Sequence, residues 1–65
     1  MMFLTDEKLD EMIRDYYLQQ FSERDTDQWF EPPAVNVRMF ARDGKLIVLQ
    51  AQPITGEITV HIKSL

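Results

Sequence analysis

Cysteine is absent from this chain of 65 residues, and histidine occurs once, as His61. The first absence excludes a disulfide staple and any cysteine-bound zinc site, and the second excludes a histidine metal cage. With only two glycines, both suited to turns, there is no glycine-rich loop to cradle a phosphate. Internal repeats and low-complexity tracts are missing too. The opening stretch MMFLTDEK passes from four apolar residues straight to acids. It has no basic n-region and no length of apolar chain, so it reads as neither a signal peptide nor a membrane span. The expected setting is the cytoplasm.

What is present is an ordinary globular composition, 45 % hydrophobic and 28 % charged. Residues 1–65 are read as one domain. A chain this short buries only about 60 % of its unfolded surface. Without a disulfide or metal, good packing or self-association must supply the remaining stability. The net charge of −4 hides a division. Residues 1–33 hold nine acids against Lys8, Arg14 and Arg24, a net of −6, whereas residues 34–65 carry a net of +2. Asymmetry of this kind bears on partners and association rates.

The first half encodes a helix over about residues 6–23. Thr5 is placed to cap it, Leu4 and Leu9 stand at the positions of a hydrophobic staple, and Asp6 and Glu7 favour the positive end of the helix dipole. Leu9, Met12, Ile13, Tyr16, Tyr17 and Phe21 share one side at helical spacing, which marks them as core. Glu7, Glu11 and Asp15 fall on the opposite, solvated side. Residues 24–33 form the connection, ended as a helix by Pro32-Pro33. Within it, Trp29 either caps the core or stands exposed as an anchor for a partner.

Three strands follow, over about residues 34–42, 45–52 and 57–64. Asp43-Gly44 suits a two-residue type I′ hairpin turn, which pairs Phe40 with Ile47, Met39 with Val48 and Val37 with Gln50. Loop parity at QPITGE decides the face of the last strand. A three-residue loop with Gly56 in the left-handed region sets Ile58, Val60 and Ile62 beside Leu46 and Val48. A four-residue loop sets them beside Ile47 and Leu49. The first option gives the cleaner amphipathic sheet and is adopted. The inner face is then Val35, Val37, Met39, Leu46, Val48, Ile58, Val60 and Ile62. The expected fold is a two-layer α+β domain, one N-terminal amphipathic helix packed on a three-stranded antiparallel β-meander in the order α-β-β-β.

In that register Arg38, Phe40, Arg42, Lys45, Ile47, Leu49 and Lys63 lie outward together, with Asn36, Ala51, Thr59 and His61. An apolar centre of Phe40, Ile47 and Leu49 ringed by cations resembles an interface. The expected function is a small non-enzymatic interaction or regulatory module that binds a partner protein, or itself, through this face. The alternative is single-stranded nucleic acid, with Phe40 stacking on bases and the cations on phosphates. One aromatic, no RNP-type motif and an acidic helix side argue against it.

Chemistry is sparse. The acids fall on the helix surface and the connection, not in pairs suited to proton transfer. Asp25 and Asp27 offer carboxylates to a hard cation, but Trp29 and Phe30 follow where an EF-hand would supply another ligand and a glycine. No cofactor, metal, small-molecule ligand or membrane contact is expected.

Overall fold

A computed structural model describes residues 2–65; Met1, the first residue of the apolar opening stretch, lies outside them. Thr5 caps helix α1 (Asp6–Gln20), its hydroxyl accepting from the Lys8 N–H at 3.1 Å. Leu9, Ile13 and Tyr17, spaced by four, are the buried row of the helix. Glu7, Glu11 and Asp15 are exposed, as the spacing requires. The helix is shorter than expected. Phe21 closes the last turn onto the Tyr17 carbonyl, and Ser22 then adopts φ +58°, a left-handed conformation that ends the helix without glycine.

The connection contributes a strand that the sequence reading did not contain. Gln28–Trp29 (β1) pairs with Val37–Arg42 (β2), placing Trp29 opposite Phe40. Strands β3 (Lys45–Ala51) and β4 (Ile58–Ser64) complete a fully antiparallel sheet in the order β1-β2-β3-β4. The architecture is therefore α+β with an N-terminal helix, but the sheet has four strands, not three.

The β2–β3 register is the one that Asp43-Gly44 implies, with Phe40 opposite Ile47 and Met39 opposite Val48. Both turn residues have positive φ, +52° and +76°. The β3–β4 loop is the four-residue alternative. Gln52 donates to the Glu57 carbonyl, and Ala51 pairs with Ile58. Gly56 does adopt a left-handed φ of +74°, and a Cβ there would collide with the Met12 side chain and touch Leu4. The loop lies that close beneath the first turns of α1.

Ile58, Val60 and Ile62 consequently lie opposite Ala51, Leu49 and Ile47, and the face that α1 covers is the reverse of the expected one. The core consists of Leu9, Ile13, Tyr17, Phe40, Ile47, Leu49 and Ala51, with Leu4, Tyr16, Phe21, Ile58 and Val60 packed against it. Val37, Met39, Leu46 and Val48, expected inside, line the far side of the sheet; Val35 precedes β2 and is exposed. Rings supply the mass of this small core. Tyr17 and Trp29 meet Phe40 with centroids at 5.2 and 4.7 Å, and Phe21 meets it edge-on at 5.6 Å.

Candidate functional site

The seven residues expected to form a basic, apolar-centred interface do not form one. Phe40 and Leu49 are fully buried and Ile47 is 5 % exposed, all beneath α1. Arg38 and Arg42 share that face but are consumed by internal contacts. The Arg38 guanidinium donates to Asp10 on α1 at 2.8 Å and to the carbonyl of Val37 at 2.7 Å. Lys45 is exposed at the hairpin end, and Lys63 is exposed on the opposite face, across from Leu46. The nucleic-acid alternative loses its stacking platform, because no base can reach a fully buried Phe40.

Arg42 makes the tightest polar contacts. Its Nε and Nη2 donate to the two oxygens of Asp27 at 2.7 and 2.6 Å, and Nη1 and Nη2 donate to the carbonyls of Phe21 and Ser22 at 2.7 and 3.0 Å. The Tyr17 hydroxyl donates to Asp27 Oδ2 at 2.6 Å. Its oxygen accepts from the Arg24 backbone N–H at 3.3 Å. The guanidinium lies 5.4 Å from the Phe40 ring centroid, within cation–π reach. Arg42 thus staples the end of α1 and the start of β1 to β2.

Electrostatics follow this geometry. Hydrogen bonds from Arg42 hold the Asp27 carboxyl down at about 2, against a burial effect that alone would raise it. The bond from Tyr17 adds to the lowering. Burial, and then donation to Asp27, pushes the Tyr17 phenol up, and the bond to Asp27 pushes Arg42 up. Both Asp27 oxygens accept hydrogen bonds from Arg42, and Oδ2 accepts from Tyr17 as well, so the carboxylate anchors an internal network. Among the described residues, no group of three or more His, Asp or Glu side chains converges to hold a metal ion. No helix of the described residues is long and apolar enough to cross a membrane.

Two surfaces remain. One is a groove of about 420 Å³ between α1 and β1–β2, floored by Ile13, Tyr17 and Trp29 and edged by Leu18 and Arg14. Trp29 packs against Phe40 at a tilt of 40°, closing the core beside the end of α1, and is 47 % exposed. The other is the sheet face turned away from α1. Strand pairing arranges it in cross-strand rows, with Ala41, Leu46 and Lys63 in one, Met39, Val48 and His61 in the next, and Val37, Gln50 and Thr59 in the third. Phe30, whose N–H donates to the Met39 carbonyl, extends the middle row and is 45 % exposed. Among the described residues, no element packs on this face.

Sequence reasoning placed Val37, Met39, Leu46 and Val48 in the core. The two sides of β4 differ sharply, Ile58, Val60 and Ile62 against Thr59, His61 and Lys63, so the β3 residues that join its aliphatic side are core, and the length of the loop before β4 decides which those are. Comparison with protein families, with curated proteins and with solved structures gives no match for this chain.

Proposed function

We propose that the domain is a small non-enzymatic interaction module that receives a partner protein on the open face of its sheet. A single observation carries this reading. Val37, Met39, Ala41, Leu46 and Val48 form a contiguous apolar area with Phe30 at its margin, and α1 lies on the other side. An apolar centre bordered by Gln50, Thr59, His61 and Lys63 matches the anatomy of a protein interface, in which a water-excluding centre is ringed by polar groups. Two of the cations that would have favoured a polyanion, Arg38 and Arg42, are paired with Asp10 and Asp27 inside the fold. The cytoplasmic setting belongs to the same proposal.

The test is affinity capture from host lysate, with and without nuclease, using the tagged domain and a Met39→Glu/Val48→Glu variant. The face is uncovered, so the variant stays folded by circular dichroism while losing a nuclease-resistant protein partner. Capture that is unchanged in the folded variant removes the open face as the docking site. Capture that vanishes on nuclease treatment replaces the protein partner with nucleic acid.

A further inference from the structure

The two edges of the sheet are finished differently. β1 is two residues long and is followed by Pro32-Pro33, which lack the N–H a pairing strand needs. β4 runs seven residues without proline and pairs with β3 along its whole length, so its outer edge is unbroken. The Leu65 N–H donates to Gly44, and the Glu57 carbonyl accepts from Gln52. Antiparallel alternation then turns the backbone of residues 57, 59, 61, 63 and 65 toward β3, and that of Ile58, Val60 and Ile62 outward. Ile62 is 56 % exposed although it points to the helix side. Long flat edges with outward backbone groups recruit another strand.

We propose that β4 is a self-pairing edge, joining two copies antiparallel about Val60 into a continuous eight-stranded sheet. Symmetry and charge select the register. A two-fold axis normal to the sheet must lie midway between the two copies of one residue, so that each residue meets one on its own face. Centred on Val60, the pairing sets Ile58 opposite the second copy's Ile62, Val60 opposite Val60, Thr59 opposite His61 and Glu57 opposite Lys63. Every pair matches in kind or in charge, and opposite charges facing each other across strands stabilise the ladder. Centred instead on His61, the pairing sets His61 against itself and leaves Glu57 facing Leu65. The Val60 register also brings the exposed Ile62 beside the second copy's Ile58, which packs on the core. This contact uses the edge, not the open face, so a partner on the face and a second copy at the edge are compatible.

Light scattering across a concentration series tests the proposal on the full chain. The mass rises from 7.7 kDa toward twice that value. Glu57→Lys and Lys63→Glu each turn both symmetric pairs into like charges and weaken self-association by about tenfold. Mixed one to one, these two variants restore opposite charges at both positions and recover the larger mass. Both positions are exposed, so neither variant threatens the fold. Hydrogen exchange gives a second readout: the Val60 and Ile62 amides become protected as concentration rises. A mass fixed at 7.7 kDa up to about 1 mM overturns the edge contact while leaving partner capture by the face intact. So does a dimer that survives both charge reversals or fails to recover on mixing.

Discussion

Each side of the β2–β3 hairpin carries apolar residues in similar number, yet α1 covers only one. The covered side has Phe40, Ile47, Leu49 and Ala51, and the open side has Val37, Met39, Ala41, Leu46 and Val48. Two features separate them. The covered side alone meets aromatic rings from the helix, its end and β1, and it alone presents arginines whose guanidinium groups reach acids on α1 and the connection. A sheet face is thus chosen as core by what the rest of the chain can lay against it. The arginines, read from alternation alone as a solvent-facing signal, are the ties that hold the helix and the connection down. Both arginines of the basic second half are thereby paired with acids of the first, Arg38 with Asp10 and Arg42 with Asp27.

The sharpest way to break the comparison is to truncate one residue on each side. Phe40→Ala removes the ring on which Tyr17, Phe21 and Trp29 converge, and the expected cost is about 3–5 kcal/mol. A domain of this length has a total stability of only about 3–10 kcal/mol. The variant should therefore be largely unfolded, or melt far below the parent, in circular dichroism. Val48→Ala on the open side should cost about 1 kcal/mol or less, since its side chain is only partly withdrawn from water. Equal losses at the two positions would mean that the faces are not different in solution.

That contrast also explains what was legible in the sequence. Local chemistry was readable: the Thr5 cap, the helical spacing of Leu9, Ile13 and Tyr17, and the hairpin register set by Asp43-Gly44 all appear as expected. The covered face was not readable from the hairpin, because β3 is apolar on both sides and the arginines flanking Phe40 on β2 mark the covered side, by alternation alone, as the solvent-facing one. It depended on one extra residue between Gln52 and Glu57, and that loop length is set by the fit of Gly56 under Met12 and Leu4, a tertiary contact. Strand β1 escaped for a related reason. Two residues carry no periodicity, and Gln28–Trp29 is a strand only because Arg42 and Phe40 draw it alongside β2. The candidate site followed the face. Once the face reversed, Phe40, Ile47 and Leu49 became core and the open surface became Met39, Val48 and their neighbours.

The next comparison is between ion pairs, and the buried one carries the larger effect. Asp27→Ala strands the Arg42 guanidinium, which is one-tenth exposed, without its counter-charge. Losing one member of a buried pair costs about 3–5 kcal/mol. The same carboxylate makes stability depend on pH. Its folded value of about 2 lies below the ordinary 3.8, so its stabilisation is complete above the ordinary value and is lost as pH falls toward 2. The amount at stake is about 2 kcal/mol. Denaturant midpoints measured from pH 6 to pH 2 should fall along this limb, and in Asp27→Asn the limb should flatten. An unchanged acid limb in Asp27→Asn would assign the acid sensitivity to other carboxylates.

At the surface the same chemistry yields far less. Arg24 and Asp43 approach to 3.0 Å, as close as many buried pairs, but their side chains are 48 % and 72 % exposed. Water and salt screen such a pair, and two long side chains lose freedom to hold it, so exposed pairs contribute about 0.2–1 kcal/mol. Arg24→Gln should therefore shift the denaturant midpoint slightly, and the shift should shrink further in high salt. The Arg24 backbone N–H keeps its bond to the Tyr17 hydroxyl whatever the side chain, so the substitution leaves the hydrogen bonds around Asp27 in place and removes only a minor charge effect on it. A loss approaching that of Asp27→Ala would mean that the turn at residues 22–26 is held from its outer side. The division between a stapled, covered interior and a freely solvated exterior would then be drawn in the wrong place.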